Sequence, residues 1–522
     1  MKQTALALLV VLLALGTSST AVTGQAGTIT FPTSSAPEIQ PLVTRAVALM
    51  HSFQYDEAEQ AFDEAARRDP SCAMCRWGKA IVLYRQIWGW PTPENFAKGR
   101  EELGRAQREG AKTPREKAYI AAALVFFESD PAQTHADIVR AYSRQLEQLH
   151  RDYPTDADAG AFYALSLIAL AGEGVDPLAN RRRAIDTLQP FLRDQPNHPG
   201  VAHYLIHAAD IPDLASQGLE AAKRYAAIAP DSSHALHMPS HIFVRLGVWQ
   251  DTIDLNLRAA AAGAKAMQEH HGDASYELHA MDYLAYAYLQ TGQESKARDI
   301  VGALKNVAGA NPETVAGFGA FLAGRNALDL HRWSEAAELV VPSRPRRAVE
   351  AYRARTIGAV RLGALDTARQ NVAGLKQALT ALQAQLRAGG FTVPPDAPIE
   401  LEESEAWLAF AEGRPDDAIA ALRRAADREE ADGGESLMVP AREMLGDLFL
   451  ELKRPSDALE TYKVALQRAP NRFDSLYGAA RAAEMLKAEA DAKLYYNRLL
   501  GLVAPTADRP EVRDAKAFLK IH

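Results

Sequence analysis

The chain has 522 residues, a formal net charge of -8, 24% charged residues and 48% apolar residues. That length exceeds one ordinary core and points to about three domains unless repeats build it. That charge balance does not suggest a nucleic-acid surface, because a phosphate-binding face needs a clustered basic excess. The short runs Arg181-Arg182-Arg183 and Arg344-Pro345-Arg346-Arg347 read as solvated loop or helix-face charge.

The amino terminus reads MKQTALALLVVLLALGTSSTA, a single lysine followed by a short apolar run and then small residues. This order is that of a secretory signal peptide over residues 1–26, with small residues suited to cleavage after Ala21 or Ala26. The run is too short and too early for a membrane span, so the mature chain is expected without one, in the periplasm or secreted. The two cysteines, Cys72 and Cys75, are three apart. In an exported chain they read as a disulfide candidate or as two buried thiols, and a redox role would need a strand-to-helix setting that this segment lacks. Trp77, Tyr84, Trp88 and Trp90 follow as a packing group or a groove wall.

Apolar residues recur at helical spacing from about residue 41 to 519, in segments broken by Pro, Gly and Asp, and alternating β-type runs are nearly absent. The expected fold class is all-α. Self-similarity sets the architecture. EAEQAFDEAARRDP supplies Ala58, Phe62, Ala65 and Pro70; residues 439–472 supply Leu445, Gly446, Phe449, Ala458, Tyr462, Ala465 and Pro470; Ala492 and Tyr496 fall 34 residues beyond Ala458 and Tyr462. These positions resemble the tetratricopeptide repeat family and its 34-residue period. The resemblance implies a helical solenoid whose first helices line a concave wall that holds a peptide, protein or small-molecule ligand. The Gly- and Pro-rich stretch RAGGFTVPPDAPIE separates an array over 38–386 from carboxy-terminal repeats over 401–522.

Nine of the fourteen histidines lie between His198 and His279. With Pro230 closing a repeat, one unit runs over about 199–232 and the next over 233–266, and a lengthened third begins near 278. His203 and His207 take the fifth and ninth places of the first unit, and His237 and His241 take the same places 34 residues later. The third unit holds Asp282 and Tyr286 there, and the second place holds Gly200, His234 and His279 in turn. In the family these places face the groove. Asp210 follows His207 by three residues, on the same helical face.

Two imidazoles four apart on a helix can share one metal ion, and histidines on the adjacent helix can complete the shell. The expected metal ligands are His203, His207, His237, His241, His279 and Asp282, with Asp210, His234 and Tyr286 as ligand-binding neighbours. Zinc, copper and iron all accept such donors. Against this stands duplication of one repeat, which copies residues without demanding chemistry. Pro239 lies between His237 and His241, so the helix there either begins late or is kinked. His270-His271 reads as an exposed loop or a lid over the groove. No phosphate loop, nucleophile elbow or HExxH is present.

HPGVAHYLIHAAD, HALHMPSHIFVRLG and ELHAMDYLAYAYLQTG resemble a group of exported bacterial tetratricopeptide proteins with an HMPSHI signature, and the resemblance leaves their chemistry open. The sequence therefore supports three functions: metal-assisted ligand binding, a metal-dependent or His/Asp acid-base enzyme, and a protein-interaction scaffold. An ordinary imidazole titrates near 6.5, so metal binding is expected to weaken from about pH 7.5 to about pH 5.5.

Overall fold

A computed structural model describes residues 26–520 apart from 131, 270–272, 392, 394–397, 432, 434–436 and 508. The apolar amino-terminal run, residues 1–25, and the candidate lid His270-His271 lie outside the described residues. Among the described residues every regular element is helical, and the helices fall into twelve successive pairs followed by Pro510–Leu519. None of these helices is long and apolar enough to cross a membrane.

The helix starts follow local chemistry. Thr113 and Glu116 form a reciprocal capping box at Pro114–Phe127, and Asp156 and Ser232 cap the helices that follow them. Such caps satisfy amide groups that the first turn leaves without partners. Cys72 and Cys75 form a disulfide at the start of Ala73–Ile81, where the Cys72 sulfur also accepts the Cys75 N–H.

Small residues set how closely helices approach. A Cβ on Gly446 or Gly478 would lie 2.7 or 2.3 Å from the Tyr462 ring, so that tyrosine is wedged between two helices that must carry glycine. This is the close crossing on which repeat stacking depends, each pair burying its apolar face on its neighbours.

The array bends back on itself. Gln40–His51 packs on its own partner Tyr55–Arg68 and also on Pro199–Ala209, the first helix four pairs later. The carboxy-terminal repeats return to the middle ones: Trp249 Nε1 donates to the Asn471 carbonyl at 2.8 Å, and the Ala504 N–H to that of Thr291 at 2.9 Å. Gly247, at φ 66°, presses against the Pro470 carbonyl so closely that a Cβ would sit 2.0 Å from the oxygen. Arg472 lies in this junction, buried, with Glu443 at 2.8 Å, Asp329 at 2.7 Å and the Tyr286 hydroxyl at 2.9 Å. One apolar cluster joins residues 26–243 and a second joins 327–515, the latter running across the Gly- and Pro-rich stretch near 387–400.

Candidate metal centre

Five helices bring the histidines together. His203 and His207 share one face of Pro199–Ala209; His234 and His237 lie on Ser233–His237; His241 is on Pro239–Leu246 and His279 on Ala274–Gln290. His51 closes the wall from the end of Gln40–His51. Met238 keeps helical angles, φ -52° and ψ -38°, so Pro239 interrupts the helix without swinging its halves apart. The His237 and His241 Nε2 atoms stay 3.0 Å from each other.

The imidazoles form two groups of three. In the first, the His203 Nε2 lies 3.1 Å from that of His207 and 3.0 Å from that of His234. The second comprises His237, His241 and His279, and in each group the candidate donor atoms lie within 4.8 Å of one another. The groups adjoin, with ring centroids 6.1 Å apart for His207 and His241 and 6.5 Å for His234 and His237. His207, His241 and His279 are half-buried and open the centre towards solvent, while His203, His234 and His237 are buried.

The tautomers follow from the partners. His203 Nδ1 lies 2.7 Å from the His51 carbonyl, which only accepts, so that nitrogen carries the proton and Nε2 keeps its lone pair. Asn256 donates through Nδ2 to the Thr252 carbonyl, which turns its Oδ1 to His237 Nδ1 at 2.7 Å. His241 Nδ1 lies 2.7 Å from Asp210. Burial opposes ionisation of Asp210, but Arg245 and His241 outweigh it and hold the carboxyl well below its usual range. With Nδ1 of each ring committed, the His237 and His241 Nε2 atoms face each other across 3.0 Å, and two neutral rings so arranged would oppose their lone pairs. A shared cation would resolve that opposition. Nitrogen ligands at the usual zinc distance in a tetrahedral shell would stand about 3.3 Å apart, close to the spacing here.

Burial also disfavours the charged form of His203, His207, His234, His237 and His279. It lowers His203 to about 3 and His279 to about 4. His207, His234 and His237 are pushed well below the ordinary value by burial first and by neighbouring imidazoles second. For these five rings proton competition is moved below the range expected of an ordinary imidazole.

Aromatic rings back the first group. Phe53, held at φ 57°, packs its ring 4.4, 5.7 and 5.6 Å from those of His203, His207 and His234. Trp88 stands edge-on to His234 at 4.9 Å, and Tyr225 stacks on His203 at 5.1 Å. Tyr283 meets His237 at 4.6 Å and puts its hydroxyl 3.1 Å from His241 Nδ1.

The residues singled out from sequence divide clearly. His203, His207, His237, His241 and His279 enter the two groups, and His234 joins the first as a donor. Asp210 stands behind His241 and is shared with Arg245 at 3.0 Å. Asp282 lies outside both groups because Arg325, 43 residues later, takes its carboxylate at 2.6 Å. Tyr286 is drawn to Arg472 in the junction. A cavity of about 900 Å³ adjoins the second group, bounded by His279, Tyr283, Asp282, Arg245 and Arg347 among others.

Sequence reasoning missed His51, Asn256, Tyr283 and Phe53. Tyr283 carried a signal, being four residues after His279 on the same helical face. His51 belongs to a third, fully buried group: its Nε2 meets Asp158 at 2.9 Å, and His198 Nε2 meets the same oxygen at 3.3 Å. That group holds the His51 carbonyl where His203 needs it.

The tetratricopeptide repeat family matches residues 44–114, 404–473 and 443–508. Among solved structures, a human IFIT1 dimer with PPP-AAAA is similar over 88% of this chain and 90% of that one, at 12% identity and a TM-score of 0.35. Among curated proteins no relative matches. Among the described residues this chain is an all-α helical-repeat solenoid, and the family matches lie towards its two ends.

Proposed function

We propose that this protein binds transition-metal ions through two three-histidine groups, His203/His207/His234 and His237/His241/His279, and uses them to hold a ligand in the adjoining groove. The observation that carries the reading is the pair of Nε2 atoms of His237 and His241 facing each other at 3.0 Å, with the other ring nitrogens already committed to Asn256 and Asp210. Carboxylate- or carbonyl-supported imidazoles of this kind are the usual setting of metal ligands. Zinc, copper and iron are the candidate ions. Ligand binding is the leading use, and a metal-dependent enzyme is the alternative, favoured by the cavity beside His279. The Cys72–Cys75 disulfide and the apolar amino-terminal run support an exported, oxidising setting, periplasmic or secreted.

The test is metal analysis of protein purified without a histidine tag. The expected result is about two ions per chain, falling to about one in His207→Ala and unchanged in His150→Ala, since His150 lies outside both groups. A chain that retains no metal but binds an extended peptide would replace this reading with a scaffold.

A further inference from the structure

Resting on the metal-binding reading, we infer that the two histidine groups form one dinuclear copper centre that takes dioxygen between its ions. The first support is proximity. His207 and His241 stand 6.1 Å apart between ring centroids, and His234 and His237 6.5 Å apart, so the two groups lie side by side.

The second support is the donor set. Each group offers three imidazole nitrogens, and no carboxylate belongs to either among the described residues. The nearby acids are committed elsewhere: Asp282 to Arg325, and Asp210 to Arg245 and His241 Nδ1. Non-haem iron sites with two histidines characteristically add a carboxylate, and manganese favours oxygen ligands. Imidazole suits zinc, copper, iron and nickel, and the lack of a carboxylate counts against iron. Two adjacent dications without an anionic ligand repel with a charge product of four, whereas two Cu(I) ions repel with a product of one. Burial makes that difference costly. Cu(I) is also content with three nitrogen donors, which is what each group supplies.

The third support is access. His207, His241 and His279 are half-buried, so each set of three has one side within reach of solvent, while Phe53 packs against the first group. Dioxygen is small, uncharged and apolar, and can enter such a site without a polar guide. On binding, each Cu(I) gives one electron; the two electrons reduce dioxygen to peroxide, its O–O π bond is lost, and both ions become Cu(II). No proton and no other reactant is needed. The charge within the site stays at two, since the peroxide dianion offsets the added positive charge, and the surrounding protein therefore has no new charge to solvate.

Metal-free protein loaded with Cu(I) under argon and then mixed with air tests this. The expected result is about two copper ions per chain and about one dioxygen consumed per pair, with a new near-ultraviolet charge-transfer band. The oxidised pair should give no electron paramagnetic resonance signal, because two coupled Cu(II) spins cancel. The band should fade under vacuum. His279→Ala should retain about one copper, lose dioxygen uptake at least about tenfold and show the signal of an isolated Cu(II) on chemical oxidation. Overturning results are two bound ions without dioxygen uptake, a full signal from two independent Cu(II) ions, or zinc as the sole retained metal at both sites; each leaves the metal-binding reading intact. Failure to bind zinc, copper or iron would remove both readings together.

Discussion

Acid should destabilise the metal-free protein through its histidines, although those same histidines stay neutral in the folded state. His203 falls to about 3 and His279 to about 4, and His207, His234 and His237 lie well below their ordinary value. In the unfolded chain each returns to about 6.5. The folded values are below the unfolded ones, so the stabilisation is fully present above about pH 6.5 and declines as pH falls towards the folded values. For one such ring the difference between about pH 7.5 and pH 5 is roughly 2 kcal/mol. His203 and His279 together give roughly 4 kcal/mol, a large part of the stability of an ordinary domain, and His207, His234 and His237 act in the same direction. The assay is urea unfolding of chelator-stripped protein at several pH values, followed by circular dichroism. His203→Gln should flatten the acid slope by about 1.4 kcal/mol per pH unit, since the amide cannot take up the proton in either state. A midpoint that does not move between about pH 7.5 and 5 would refute the reasoning, because it would mean that the folded rings protonate as readily as the unfolded ones.

Other expectations concern single contacts. Asp210→Asn removes the charge behind His241 and should weaken metal affinity about 10- to 100-fold with little change in helix content, measured by competition with a chromophoric chelator. Arg472→Met leaves Glu443 and Asp329 buried without their cation and should cost about 3–5 kcal/mol in a denaturant titration. An unchanged midpoint would show that the junction contributes no stability. Replacing Cys72 and Cys75 with Ala opens a very short loop, so the loss should stay within about 2 kcal/mol, and metal content should be unaffected. Loss of metal in that variant would place the centre elsewhere.

The legible part of the site was its periodicity. A 34-residue offset put His203 and His207 above His237 and His241, and the shared second place of the repeat brought in His234 and His279. The same places failed for Asp282 and Tyr286, whose partners Arg325 and Arg472 come from outside the repeat frame. A helical period tells which face a side chain occupies and says nothing about a competing charge delivered by a distant helix. His51 illustrates the limit from the other side. Its ring occupies the space above Gly200, where a Cβ would lie 2.4 Å from His51 Nδ1. The missing side chain at Gly200 was visible as a break in the pattern, but what filled the gap depended on the curvature of the superhelix. The tetratricopeptide architecture needed no such information, because neighbouring pairs specify one another.

The bond from His203 to the His51 carbonyl spans 152 residues, and the Trp249 contact to Asn471 spans 222. Stacking of neighbouring repeats is local in sequence and forms early, whereas these closures carry the high contact order that slows a search. During synthesis the helix ending at His51 is made long before its partner emerges, so the imidazoles of the first group acquire fixed tautomers only after the fifth pair has folded. Any ion affinity would therefore belong to the folded-back array rather than to any one helix. A substitution at Gly247, where the carboxy-terminal repeats dock through the Pro470 carbonyl, should speed metal release although it touches no ligand.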